Sequence, residues 1–313
     1  MQNQTVSNTL VDVTNWENDI FTNYGGYSRK IGKISPSGER YMVKFEKKHT
    51  FKSSHLHLFQ QHLNSEIIRL LGFSAQETFL ATCDDYLVLC CKDFVPTGSK
   101  LVTMDVFLRT LYNSYELTEI TDLEQFERVL KENEILNPYN KSLKQSFWNM
   151  VVLDVFLMNL ERTTSDFGYL VSEHNVVQSP LFDNRTNFRA STVPLISDKK
   201  PVLQVDLLFT DKFKDFHDAV AHILPVIERK MPAIHDFIYK QDCLSESQKK
   251  LKYDLLCETL HKLQLSYKLQ QVTATMEIEN MNLTEQAYDN LQAIATGQKT
   301  VDEIIKEIKK RYS

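Results

Sequence analysis

No apolar run in this sequence approaches the roughly 18 uncharged residues that a membrane-crossing helix needs. The polar stretch from Met1 to Trp16 also lacks the basic start and apolar core of a signal peptide. Both absences predict a cytoplasmic protein with no membrane partner. Basic charge is in deficit: 36 Lys and Arg stand against 41 Asp and Glu, for a net charge of −5, and the cations are spread rather than clustered. That removes the electrostatic footprint of a nucleic-acid binder and leaves small molecules and proteins as partners. The five cysteines, Cys83, Cys90, Cys91, Cys243 and Cys257, form an odd set without metal-ligand spacing. They predict reduced thiols and no zinc site. Repeats and low-complexity segments are absent as well.

What the chain does have is a core: 313 residues at 42% hydrophobic content suffice for two packed lobes. Gly25-Gly26 and Ser35-Pro-Ser-Gly38 punctuate two extended runs between Tyr24 and Phe45, the second being Arg40 to Phe45, which reads as a hairpin. Leu58, Leu63, Ile67, Leu70 and Leu71 fall at helical spacing between His55 and the stop at Gly72. Strands follow at Glu77 to Cys83 and Tyr86 to Phe94 around the Asp84-Asp85 turn. After Thr97-Gly98 helices are predicted over Val102 to Tyr112, Leu123 to Asn133 and Ser142 to Leu160, the last apolar on every side and therefore buried. Phe167 to Leu170 and Val176 to Phe182 read as a second small hairpin. From Asp211 onward the pattern is helical, with breaks expected near Pro225, Pro232 and Ser245 to Gln248, and a polar break over Leu269 to Asn282.

The expected fold is therefore α+β: a small antiparallel β lobe (1–97), a larger helical lobe (98–268) and a helical hairpin tail (269–313), the layout of a protein kinase. Phosphoryl transfer is mostly positioning and charge neutralisation, so it needs a strand lysine, a helix carboxylate, a base and metal ligands. Lys44 between Val43 and Phe45 is the candidate lysine, and Glu66 on the next helix is its candidate partner. Gly25, Gly26 and Ser28 lie in a loop whose backbone amides can cradle phosphates. After the buried helix, Glu161 and Asp166 have the spacing of a base and a metal ligand in a catalytic loop, and Asp183 ends an apolar strand where a second magnesium ligand belongs.

These residues resemble the HipA-like serine/threonine kinases, most closely their short CtkA-like members. The matching stretches are Tyr41-Met-Val-Lys-Phe45, Ser65-Glu66, Gln76-Glu-Thr78, Cys91-Lys-Asp-Phe94, Phe147-Trp-Asn-Met150, Asp154, Asn159 and Pro180-Leu-Phe-Asp183, in order over about residues 20 to 190. The resemblance implies ATP and magnesium in an interlobe cleft, with Cys91, Lys92, Asp93 and Phe94 near the adenine, and a protein serine or threonine as substrate. The departures fall on the chemistry. The family's Asn-x-Asp-Arg-His-x-x-Asn-x-Gly loop reads here Asn159-Leu-Glu161-Arg162-Thr163-Thr-Ser-Asp166-Phe-Gly168, so the base is a glutamate and the metal-binding asparagine an aspartate. The family's Cys-Gly after the metal aspartate is Asn184-Arg185.

The tail carries a second pattern. Leu283 to Ala295 and Val301 to Tyr312 are predicted helices, with Gly297 stopping the first and Thr300 and Glu303 forming a capping box for the second. Thr275, Glu279 and Asn280 just before them resemble the Ser/Thr-x-x-x-Glu-Gly/Asn motif of VbhA-type antitoxins, which implies a Fic adenylyltransferase partner. Two functions follow: a working kinase in a toxin–antitoxin context, or a pseudokinase scaffold that inhibits a Fic partner through Glu279.

Overall fold

A computed structural model describes residues 10–20, 22, 24, 29–45, 56–113, 123–159, 162–185, 208, 213–279, 284–295 and 298–311. Strands β1 (Val11–Asp12), β2 (Glu17–Asn18), β3 (Lys30–Ile34) and β4 (Arg40–Phe45) precede helix α1 (Leu56–Leu70), and β5 (Thr78–Cys83) and β6 (Tyr86–Lys92) follow it. They form one sheet in the order β1-β5-β6-β4-β3-β2, antiparallel except for the β1–β5 edge. The two-residue strands β1 and β2 are too short to leave a period in the sequence. Alternation along β4 sends Tyr41, Val43 and Phe45 into one buried cluster with Val88 and Cys90, while Met42 packs on the opposite face with Leu58, Leu89 and Cys91. Lys44 shares that second face, which α1 covers. At the tight turn, Asp84 and Asp85 both adopt positive φ, 49° and 62°, as a two-residue hairpin with right-handed strand twist requires.

The helical portion opens on a strand rather than a helix. Val102 and Thr103, expected to open a helix, instead end strand β7 (Lys100–Thr103), and α2 (Met104–Tyr112) starts two residues later than expected. Helices α3 (Leu123–Glu132) and α4 (Asn140–Leu157), strands β8 (Gly168–Val171) and β9 (Val176–Gln178), and helices α5 (Lys214–Tyr239) and α6 (Glu246–Ile278) complete it. Helix α4 is buried along the whole of Trp148 to Leu157 except at Asn149, at the centre of a cluster that draws on α1 to α6. Glycine is required at 168: a Cβ there would lie 2.4 Å from the Val102 carbonyl oxygen, because β8 pairs with β7 at this point.

Of the breaks expected in the C-terminal half, the one near Ser245 to Gln248 is present, since α5 ends at Tyr239 and α6 starts at Glu246, whereas those at the two prolines are not. Helix α5 continues through Pro225 and Pro232, although each lacks an N–H donor. Burial of Val220, Ile223, Leu224, Ile227, Met231 and Ile234 along one face outweighs those losses. Likewise α6 runs across 269–278, where the Thr273 and Thr275 hydroxyls donate to the Leu269 and Gln271 carbonyls at 3.1 and 2.8 Å and so satisfy themselves within the helix. The tail consists of α7 (Glu285–Ala295), which packs Tyr288 and Leu291 against the main core, and α8 (Val301–Arg311). Its capping box is present: the Thr300 amide donates to Glu303 Oε2 at 2.7 Å and the Glu303 amide to Thr300 Oγ1 at 3.3 Å. Among the described residues no helix is long and apolar enough to cross a membrane, and all five cysteines are free thiols.

Gly168→Ala should lower the unfolding free energy by about 1–3 kcal/mol through overpacking against β7, measured as a shift of the denaturant midpoint at constant slope.

Candidate active site

Three segments meet beneath the sheet: the α1-facing side of β3 and β4, the loop after α4, and the segment that follows β9. Strand pairing sets Lys30 opposite Lys44 and Leu89 on its other side, so both lysines project from the same face. The post-β9 segment is anchored between α1 and β5. Leu181 donates to the Ser74 carbonyl at 2.9 Å and accepts from the Gln76 amide at 2.9 Å. This brings Asp183 under Lys44, and Lys44 Nζ donates to Asp183 Oδ1 at 2.8 Å. Asp183 itself has φ 54°, a left-handed conformation that non-glycine residues seldom adopt outside sites that over-determine it.

The sequence-derived partner of Lys44 requires correction. Glu66 is not brought to Lys44; its carboxylate accepts from Arg69 Nη1 at 2.9 Å, one turn along α1. The residue that meets Lys44 is Gln61, whose Oε1 accepts from Nζ at 3.2 Å and whose amide nitrogen reaches Asp183. Five residues on a helix turn about 140°, so Gln61 and Glu66 cannot face the same way. Gln61 was missed because a neutral side chain is not what a search for a lysine counter-ion looks for.

The loop after α4 is built on a buried ion pair. Arg162, with a side chain wholly removed from solvent, grips Asp154 of α4 through Nε and, at 2.8 Å, through Nη2. Its remaining donors go to the carbonyls of Asp166 and Phe182, at 2.9 and 3.0 Å, and to Asn184 Oδ1 at 2.8 Å. One guanidinium thus fixes α4, the loop and the segment holding Asp183 relative to one another. Asn159 joins the same knot, its Nδ2 donating to Asp154 at 2.8 Å. Asp166 folds back on its own turn, accepting from the amide and hydroxyl of Thr163 at 3.0 and 2.8 Å.

Electrostatically the two aspartates diverge. Burial and the nearby charge of Asp183 push the Asp166 carboxyl above the usual range. Burial alone would also raise Asp183, but Lys44 and Arg185 more than offset it and hold that carboxyl well below the usual range. Burial and the facing Lys44 lower Lys30. Two carboxylates, one of them raised by the charge of the other, offer the oxygen donors that a hard divalent cation takes. Among the described residues no third His, Cys, Asp or Glu joins them, so such a cation would complete its shell with water and phosphate oxygens, as magnesium does.

Of the residues expected near an adenine, Cys91 is buried on the cleft-facing side of β6 and its thiol is pushed up to about 11 by burial. Lys92 points elsewhere, to Glu39 and Glu77. Asp93 caps the Val95 amide at 3.0 Å, and the Phe94 ring lies 5.7 Å from that of Phe182. Tyr24, read in the sequence only as the edge of the first hairpin, sits beside Gly32; its hydroxyl has no hydrogen-bond partner among the described residues, and burial, then Asp93 and Asp19, push it up to about 12. With Asn18, Asp19, Lys30 and Gly32 it lines a cavity of about 400 Å³. Gly25, Gly26, Ser28, Glu161 and Asn280 lie outside the described residues. Thr275 and Glu279 are exposed at the end of α6, with the Glu279 amide donating to the Thr275 carbonyl at 3.2 Å, far in sequence from the cleft residues.

No family model matches the chain. It is 26% identical over 284 residues to the serine/threonine-protein kinase CtkA of Helicobacter pylori, covering 81% of this chain and 86% of that protein. The crystal structure of a Helicobacter pylori proinflammatory kinase CtkA superposes with a TM-score of 0.71 at 25% identity, over 83% of this chain and 98% of that one. HipA of Shewanella oneidensis MR-1, solved with HipB and operator DNA as a toxin–antitoxin system, gives a TM-score of 0.51 at 13% identity over 79% and 66% of the two chains, a likeness of fold. The chain is thus a CtkA homologue with a mixed α/β fold built from a curled sheet and a helical portion.

Because the folded pKa of Asp183 lies below its unfolded value of about 3.9, its stabilisation is complete above that value and is lost as pH falls through the folded pKa. The stability gap between wild type and Asp183→Asn, read by denaturant melts, should therefore be widest near pH 7 and shrink below about pH 4.

Proposed function

We propose that this protein is a HipA-like, ATP-dependent kinase that phosphorylates a serine or threonine hydroxyl of a protein through a divergent catalytic loop, in a toxin–antitoxin setting. The observation that carries the reading is the 2.8 Å contact between Lys44 and Asp183, in a cleft shared with Lys30 and Asp166, in a chain 26% identical to a serine/threonine kinase. Five free thiols suit the reducing interior of a cell.

ATP would bind between residues 1–97 and 98–268, with the base toward Cys91, Asp93 and Phe94 and the phosphates toward Lys44 and Lys30. Gly25, Gly26 and Ser28 would supply backbone amides to those phosphates. Asp166 and Asp183 would hold magnesium, which when bound neutralises charge on the phosphate oxygens. Lys44 exchanges Asp183 for a phosphate oxygen, and Gln61 keeps its ammonium aimed. Glu161 takes the proton from the substrate hydroxyl as that oxygen bonds to the γ-phosphorus; the bond from phosphorus to the β–γ bridging oxygen breaks and its electron pair leaves with ADP. Glutamate reaches one methylene further than aspartate, which compensates for or displaces the base by about 1 Å, a shift worth about 100-fold in rate.

A second reading draws on α6. Thr275 and Glu279 are exposed one turn apart on the same helix face, the arrangement needed to present a carboxylate to a partner's arginine. In this reading the fold is a pseudokinase scaffold and Glu279 inhibits a Fic adenylyltransferase.

The deciding assay is magnesium-dependent transfer of the γ-phosphate by purified protein. A kinase should lose at least about 100-fold of its activity in Lys44→Ala, Asp183→Ala and Glu161→Gln, with Glu279→Gly unchanged. ATP binding without transfer, together with release of a toxic Fic partner by Glu279→Gly, would replace the first reading with the second.

A further inference from the structure

Helix α6 contains an inversion that packing alone does not account for: Leu251 is 51% exposed while its neighbour Lys252 is only 4% exposed. Burying an ammonium is costly unless its hydrogen bonds are worth more than the lost hydration. Such conflicts between local pattern and fold collect at functional positions. Lys252 Nζ donates to Asn64 Oδ1 at 2.7 Å, and Asn64 Nδ2 donates in turn to the Asn184 carbonyl at 3.1 Å. Asn64 and Asn184 are both fully buried. On the other flank of Asp183, the Phe182 carbonyl accepts from Arg162 at 3.0 Å. The carbonyls on both sides of Asp183 are therefore held by buried donors, and between them the residue keeps its φ of 54°.

We infer that Lys252, acting through Asn64, is a positioning residue for Asp183: it orients the Asn64 amide so that its nitrogen grips the Asn184 carbonyl and holds the carboxylate in its left-handed, cleft-facing conformation. Carbonyl and amino ends of an asparagine side chain are nearly alike in shape, so something must choose between them. An ammonium, which only donates, forces Oδ1 toward α6 and Nδ2 toward Asn184. Arg162, from the loop after α4, serves one flank of Asp183, and Lys252, from α6, serves the other. This inference rests on the reading of Asp183 as a metal carboxylate.

The test uses the full chain, Mn²⁺ as probe, and two readouts, Mn²⁺ affinity and melting midpoint. Asn64→Asp preserves an acceptor for Lys252 but replaces the donor to Asn184 with an oxygen. Lys252→Met preserves length and removes the donor that orients Asn64. Each should weaken Mn²⁺ binding by about 10–100-fold, the usual effect of losing an outer support of a metal ligand, while the melting midpoint stays near that of the wild type. If Lys252→Met fails to fold, Asn64→Asp carries the test, since it leaves Lys252 with a counter-ion. Wild-type affinity in Asn64→Asp, or a fall in its affinity matched by a collapse of its midpoint, overturns the inference. Asp183→Ala separates the two claims: unchanged Mn²⁺ binding in that variant refutes the metal reading itself.

Discussion

The guanidinium of Arg162 is the point on which the rest of the cleft depends. It is buried with no solvent to fall back on, and its donors are spent on one carboxylate, two backbone carbonyls and one amide oxygen. Burial pushes the Asp154 carboxyl upward, and the permanently charged arginine opposes this. A pair of this kind adds little net stability compared with an apolar substitute, but removing one partner alone is expensive, so its value lies in the geometry it enforces. That geometry passes outward in order. The apolar surface of α4 fixes Asp154, Asp154 fixes Arg162, and Arg162 fixes the turn of Asp166 and the segment that carries Asp183 beneath Lys44.

Charge balance in the cleft follows from the same arrangement. Lys30 and Lys44 stand directly opposite each other across β3 and β4, a cross-strand pairing that is unfavourable alone. Asp183, and at longer range Asp166, supply the compensating charge, with Arg185 on the outer side of Asp183. Gln61 is suited to this setting in a way that a carboxylate is not: it accepts from Lys44 and donates to Asp183 at once. The cations of the cleft are thus met from within, by two carboxylates and one amide.

How much of this was legible in the sequence depends on the range of the interaction concerned. Lys44 and Asp183 were readable because strand alternation and the end of an apolar run are local signals, and the capping box at Thr300 and Glu303 is local too. The partner of Lys44 was not, since choosing Gln61 over Glu66 requires the rotation of α1 about its axis, which packing sets. Pro225, Pro232 and the polar stretch from Leu269 to Asn282 read as breaks, but burial carries α5 through both prolines and hydroxyl bonds accompany α6 as far as Ile278. Lys252 was the least visible, since a lysine in a polar helix reads as solvated and only the fold shows it buried against Asn64.

A magnesium-dependent nucleotide site between Lys44 and the two aspartates would show itself in a crystal structure with a non-hydrolysable ATP analogue and Mn²⁺. An anomalous manganese peak is expected between Asp166 and Asp183, with the terminal phosphates against Lys44. A peak elsewhere, or a nucleotide bound away from this cleft, would contradict that site.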